Sequence, residues 1–263
     1  MLQTPQRRRV VRPRGLLLFG VVAWHAVLAT GEGATGEGVR AEPCQARPLR
    51  VAIDTGHSLR DPGAISASGR TEFSFNRRFV KELLARAKSD RRLLLLPVNP
   101  SGGRIGLRQR VAEAKALDAA AMISIHHDSV NEKYVLPAQK SQKNPGVVSN
   151  AFRGFSMFVS RDNGDFELSV RLATEIGQRF KAAGFLQSLH HAEPIRGENR
   201  ELLRWDLGLY DAPFAVVKAA QMPSVLLEMG VIVHPQEEAE LDRPEVRARM
   251  ARAILEALAA WCP

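Results

Sequence analysis

The chain is 263 residues long, 45% apolar and 25% charged, which excludes a disordered or collagen-like polymer and allows one large domain or two small ones. Its formal charge of +9 raises the question of a nucleic-acid partner, yet five arginines (Arg7, Arg8, Arg9, Arg12 and Arg14) fall before residue 30 with no acid among them. Setting those five aside leaves about +4, without the arginine stripe or aromatic ladder that nucleic-acid binding needs, so no nucleic acid is expected as a partner.

The first thirty residues read as an address. Basic residues 7–14 precede a short apolar run, 15–30 (GLLLFGVVAWHAVLAT), in which Val27 and Ala29 stand at positions suited to signal-peptidase cleavage. The run is short for a span of ~20 apolar residues and is interrupted by His25. Residues 1–29 are therefore expected to be a signal peptide, with an uncleaved anchor helix as the other reading, and the mature chain to be periplasmic or otherwise exported. Residues 30–48, containing GEGATGEGVRAEP, read as a linker. The two cysteines, Cys44 and Cys262, bracket the body and lie far from any metal-ligand spacing. In an oxidising compartment they could form one disulfide, which chain entropy values at about 5 kcal/mol; two unrelated thiols are the alternative.

From residue 49 to residue 262 a single α/β domain is expected. Residues 50–54 (RVAID) form a strand, and Phe75, Phe79, Leu83 and Leu84 predict an amphipathic helix over 72–88. Residues 92–98 (RLLLLPV) predict a buried strand, 107–117 a helix, 121–125 (AMISI) a strand and 154–160 (GFSMFVS) another. A surface loop is expected over 131–150. Residues 165–183 form a helix stopped by Gly184, 187–211 read as loop, 214–217 and 224–227 as a strand pair, and 247–261 as an alanine-rich helix. Strands separated by helices predict a twisted, mostly parallel sheet flanked by helices.

Ligands bind outside the carboxyl ends of the strands in such sheets, and three predicted strand ends carry chemistry. The first runs into Asp54-Thr55-Gly56-His57, a middle one into His126-His127-Asp128, and a late one into Glu228. A glycine-rich loop after the first strand could fold back to set Glu72, at the start of its helix, beside His57. Two histidines and a carboxylate with an open fourth position are the donor set of hydrolytic zinc sites. A second carboxylate then shuttles the proton, and Glu228 is the natural candidate. The strand's alternation sends His126 and His127 to opposite faces, so one of the two reaches such an ion.

The segments DTGHSLRDPGA, RTEFSFN, ISIHHDS and SVLLEMGVI, in this order, resemble the successive motifs of the zinc N-acetylmuramoyl-L-alanine amidases of the amidase-3 type, over roughly residues 49–260. The resemblance implies zinc ligands His57, Glu72 and His126, with Glu228 as general base and acid. It also implies hydrolysis of the amide between N-acetylmuramic acid and L-alanine, with peptidoglycan as partner; a protein activator stays open. Thr55 replaces the family's proline, Ser58 stands where a second glycine is common, and His127 follows the ligand histidine where a small residue is usual. Segment 131–154 is short and polar for the blocking helix of division-associated relatives, and no wall-binding repeat is evident.

Several residues carry two readings. Asp54 is an outer partner of a ligand histidine or a turn cap, and Asp128 shares that ambiguity. His190 and His191 form a rim or structural pair, or add a polar group to the metal's surroundings. His234 is expected in a solvated turn, and Arg196, Asn199 and Arg200 in a solvated loop. Two other functional classes compete with the amidase: a metallopeptidase or deacylase on another amide, and a non-catalytic wall-binding protein.

Overall fold

The computed structural model describes residues 47–136 and 146–261. The expected signal peptide, most of the expected linker, Cys44 and Cys262 lie outside them. Among the described residues seven strands form one sheet: β1 (Leu49–Thr55), β2 (Leu93–Val98), β3 (Ala121–Asp128), β4 (Ser156–Val159), β5 (Glu201–Arg204), β6 (Leu209–Asp211) and β7 (Ser224–Val231). The same described residues hold six α-helices: α1 (Glu72–Ala87), α2 (Leu107–Ala116), α3 (Phe166–Ala182), α4 (Ala215–Lys218), α5 (Pro235–Leu241) and α6 (Pro244–Ala260). The strand order is β2-β1-β3-β7-β4-β6-β5. Strands β2, β1, β3 and β7 run parallel, as do β4 and β6, while β4 opposes β7 and β5 opposes β6. The sheet is thus mixed, mostly parallel, and flanked by helices on both faces.

Period-two alternation sorts the central strands into two cores. Val51, Ile53, Ile123, Ile125, Val225 and Leu227 pack with Phe75, Phe79, Phe180 and Ile254, under α1, α3 and α6. Ala52, Met122, Phe158 and Leu226 pack instead with Val111, Val216 and Val217, under α2 and α4. Central strands covered on both faces read as continuous apolar runs, which is why β1, β3 and β7 stand out in the sequence.

The structure corrects four expectations. β2 is an edge strand with Leu94 exposed, and there Pro97 needs no ladder partner on its outer side. Residues 214–217 do not form a strand; Val217 and Lys218 donate to the Phe214 carbonyl and close the single turn of α4. Within the expected loop 187–211 lie β5 and β6, too short for a periodic signal. His234 is buried and not in a solvated turn: it N-caps α5, with its Nδ1 accepting from the Glu237 N–H at 3.4 Å and Pro235 in the first turn.

Glu237 in turn accepts from the N–H groups of Gly154 (2.8 Å) and Val231 (2.9 Å), tying α5 to the end of β7. Burial pushes this carboxyl up to about 7 from an ordinary 4.5, against the pull of those N–H groups. Between these values the folded chain keeps a proton that the unfolded chain has released, so the group's contribution to stability falls as pH rises through that window. The expected loss is up to about 3 kcal/mol. Glu237→Gln, which keeps an oxygen acceptor and does not ionise, is expected to flatten this stretch of the stability profile in urea unfolding; an unchanged slope contradicts the assignment.

Candidate metal centre and active site

The site starts at the carboxyl end of β1. The Gly56 N–H continues the ladder by donating to the Ile125 carbonyl at 3.0 Å, and the next residue, His57, turns away in the left-handed region (φ 66°). A non-glycine residue there costs on the order of 1–3 kcal/mol and persists where its surroundings hold it. The His57 carbonyl accepts from the Arg110 guanidinium and from Asn99 Nδ2 at 3.3 Å. Arg110 is buried, pairing with Asp54 and donating to the Thr55 carbonyl, each at 2.6 Å; Ser124 Oγ donates to the other Asp54 oxygen at 2.6 Å. Asp54 therefore acts on the His57 turn through Arg110 and not on an imidazole.

The loop after His57 folds back as the sequence suggested. An antiparallel bridge joins Ile65 to Thr71, and the Ala64 and Pro62 carbonyls accept from the first two N–H groups of α1, those of Glu72 and Phe73 (2.8 and 2.9 Å). These bonds satisfy helix-end donors that would otherwise lack partners and bring the Glu72 carboxylate over the sheet edge. Glu72 Oε2 lies 2.9 Å from His57 Nε2, and Oε1 lies 3.0 Å from His126 Nδ1. The N–H groups of Ala64 (3.1 Å) and His127 (3.2 Å) and Asn76 Nδ2 (3.2 Å) complete its shell. Burial opposes ionisation of Glu72, but the His126 and His57 imidazoles outweigh it and hold the carboxyl well below the usual range. The His57 imidazole moves upward; burial again opposes, and Glu72 prevails.

β3 separates its two histidines by alternation. His126 shares the open side with His57, their rings 4.9 Å apart edge to face. His127 points into the α1 core, where its Nδ1 meets Asn76 Oδ1 at 2.7 Å and its ring lies against Phe75. Burial drops the His127 imidazole to about 3. The parallel register sets Glu228 of β7 directly beside His126. Its Oε2 is buried with no hydrogen-bond partner among the described residues. Burial, together with the Asp128 and Glu72 charges, pushes this carboxyl well above its ordinary value, with Arg200 acting in the opposite sense.

The donor atoms of His57, Glu72 and His126 lie within 4.8 Å of one another. A tetrahedral zinc ion with bonds near 2.0–2.1 Å separates its donors by about 3.3 Å, so an opening of a few tenths of an ångström admits one. The backbone is kept bare around these side chains. A Cβ on Gly56 would stand 2.5 Å from His126 Nε2, and one on Gly63 (φ 77°) 2.3 Å from Glu72 Oε2. The donor set, this glycine cradle and the orphaned Glu228 oxygen all fit a bound cation. A cavity of about 450 Å³ opens beside the imidazoles, bounded also by Asp61, Arg104, Leu107 and Val216.

A second group gathers at Asp128, His190 and His191, whose donor atoms also fall within 4.8 Å. The histidine pair is buried and does not form an exposed rim. Sequence reasoning did not single out Gly63, Asn76 or Arg110. The i,i+4 spacing of Glu72 and Asn76 on α1 was a usable signal; nothing in the sequence marks Arg110.

Two imidazoles and a carboxylate at the carboxyl edge of an α/β sheet make this a protein able to hold a hydrolytic metal ion. The family profile Amidase_3, N-acetylmuramoyl-L-alanine amidase, matches residues 51–260, and the chain belongs to that family of metal-dependent hydrolases. It is 27% identical over 231 residues to the probable N-acetylmuramoyl-L-alanine amidase AmiB of Haemophilus influenzae, covering 81% of this chain and 52% of that protein. It is likewise 27% identical over 222 residues to the amidase AmiC of Neisseria meningitidis, covering 78% and 50%. The chain thus spans about half the length of these two relatives. The catalytic domain of the amidase CwlV from Bacillus (Paenibacillus) polymyxa var. colistinus superposes with a TM-score of 0.60 at 25% identity, covering 79% of this chain and 94% of that one. The amidase Ami1 of Mycobacterium smegmatis shares the fold, with a TM-score of 0.62 at 21% identity and coverage of 82% and 97%.

Breaking the Asp54–Arg110 pair leaves a buried charge without its partner, at a cost of about 3–5 kcal/mol. Arg110→Met is expected to lose that much in urea unfolding, whereas a loss under about 1 kcal/mol would show the pair does not hold the His57 turn.

Proposed function

We propose that the chain hydrolyses the amide bond between the lactyl group of N-acetylmuramic acid and L-alanine in peptidoglycan, with His57, Glu72 and His126 as zinc ligands and Glu228 as general base and acid. The observation that carries this reading is the convergence of His57 Nε2 and His126 Nδ1 on the two oxygens of Glu72, within the matched amidase region. A zinc ion bound there supplies Lewis-acid polarisation of the amide carbonyl and makes a bound water acidic near neutral pH.

The remaining work falls to the chain's own side chains. The Ala64, His127 and Asn76 donors fix the Glu72 carboxylate, so both oxygens stay aimed at the imidazoles. Arg110 and Asn99 hold the His57 turn, so little reorganisation is needed when substrate enters. Glu228 Oε2, next to His126 by register and free of a partner among the described residues, takes the proton of the attacking water. The same oxygen delivers that proton to the departing amine of L-alanine. The cavity of about 450 Å³ beside the imidazoles would take the part of the substrate next to the scissile amide.

The expected leader over residues 1–29 supports an exported, wall-facing location; among the described residues no helix is long and apolar enough to cross a membrane. A protein activator belongs to the same proposal, since an amidase of this fold, CwlD of Clostridioides difficile, is known in complex with the lipoprotein GerS. A metallopeptidase or deacylase and a non-catalytic wall binder have no specific observation in their favour.

Digestion of purified peptidoglycan followed by mass spectrometry tests the reaction. Stem peptides beginning with free L-alanine are expected, and are expected to vanish on chelation and return with zinc. Intact muropeptides alongside cleaved plain peptides would sink the amidase reading. Glu228→Gln is expected to lower turnover by ~10²–10⁴-fold with zinc content unchanged; near wild-type turnover removes Glu228 from the mechanism. Gly56→Ala, whose Cβ would enter the His126 ring, is expected to lower the zinc affinity of the His57, Glu72 and His126 site on the order of tenfold, for ~1.4 kcal/mol of displaced ligand, in a chelator competition titration. Unchanged affinity would place the ion elsewhere.

A further inference from the structure

We propose that Asp128, His190 and His191 form a second divalent-cation site, distinct from the His57, Glu72 and His126 cluster and independent of the amidase reading. Asp128 ends β3, and the two histidines form a 3-10 turn more than sixty residues later in the chain. Both imidazoles present Nε2 to one oxygen, Asp128 Oδ2: His191 at 2.8 Å and His190 at 3.5 Å. The other Asp128 oxygen is occupied by the Ser129 N–H at 2.8 Å, which leaves Oδ2 for this convergence.

The far nitrogens of both rings are anchored as those of metal-bound histidines are. His191 Nδ1 lies 2.7 Å from Glu198 Oε2, and His190 Nδ1 lies 2.7 Å from Ser188 Oγ. The Glu198 and Asp128 carboxylates both accept only, so without a metal His191 donates from both ring nitrogens, and a cation would take the place of its Nε2 proton. A lone pair facing a carboxylate oxygen needs a proton or a cation between them. His190 makes the second demand: it is 2% exposed, and its Nε2 has no hydrogen-bond partner among the described residues. One divalent cation answers all three atoms at once, whereas without it each imidazole needs its own Nε2 proton facing Asp128 Oδ2.

The walls favour a fixed site. Phe152 stacks on the His190 ring at 5.0 Å, Phe158 meets His191 edge-on at 4.9 Å, and the two imidazoles lie 3.9 Å apart. Arg200 near His191 Nδ1 is paired with Glu198, so its charge is compensated on the side away from Asp128. Two imidazoles with one carboxylate select zinc or a neighbouring transition metal over calcium or magnesium, which take oxygen shells.

The test uses the full chain, loaded with zinc, gel-filtered and analysed for metal by plasma mass spectrometry. Wild type is expected to retain two zinc ions per chain, His190→Asn one, Glu72→Gln one, and the double variant none. One ion in wild type, lost in Glu72→Gln and kept in His190→Asn, overturns this proposal and leaves the first site standing. One ion kept in Glu72→Gln and lost in His190→Asn supports the second site and overturns the first. If His190→Asn does not fold, cobalt titration of wild type replaces it: two saturating steps in the visible absorption support the proposal, and a single step at one equivalent overturns it.

Discussion

The Glu72 carboxylate, held between two imidazoles from different strands, is the contact on which the arrangement of this protein depends. It is buried, it is charged, and each of its oxygens faces a histidine nitrogen about 3 Å away. Keeping it there requires the 58–71 loop to fold back on itself, α1 to begin at one set residue, and β1 and β3 to end level with each other. The glycines at 56 and 63 follow from the same constraint, since a side chain at 56 would run into the His126 ring and one at 63 into Glu72 Oε2.

The sheet supplies the level edge. Parallel pairing of β1, β3 and β7 brings the ends of three strands to one line, and the register puts His126 between the β1 turn and Glu228. Alternation then divides the labour within β3: Ile123, Ile125 and His127 serve the α1 side, while Ser124 and His126 serve the open side. His127 is structural by this division, sealed against Asn76 and Phe75, and Asn76 links it back to Glu72. Packing beneath the sheet and chemistry above it therefore share side chains, so a loss on one side is felt on the other.

Much of this was legible in the sequence, and the reasons differ by element. β1, β3 and β7 are continuous apolar runs, and α1 carries Phe75, Phe79 and Leu83 at helical spacing, so pattern alone located them. His57, the His126-His127 pair and Glu228 followed from asking what stands at strand ends, while Glu72 followed from the loop that could fold back, and the choice of His126 from the family resemblance. The short strands β5 and β6 left no periodic trace. Val216 and Val217 carry β-branched side chains that suggest a strand, but Pro213 and the Phe214 carbonyl start a helical turn there. His234 followed by a proline suggests a solvated turn, but that proline opens α5. The meeting of Asp128 with His190 and His191 was hidden because it joins segments far apart in sequence, through a turn with no regular pattern.

The central claim is that His57, Glu72 and His126 bind a single catalytic ion. Crystals of the zinc-loaded chain, with anomalous diffraction recorded on both sides of the zinc absorption edge, test it most directly. The account predicts an anomalous peak about 2.0–2.2 Å from His57 Nε2, His126 Nδ1 and a Glu72 oxygen. Zinc-loaded crystals in which those three side chains keep their direct contacts and no peak lies between them would contradict it.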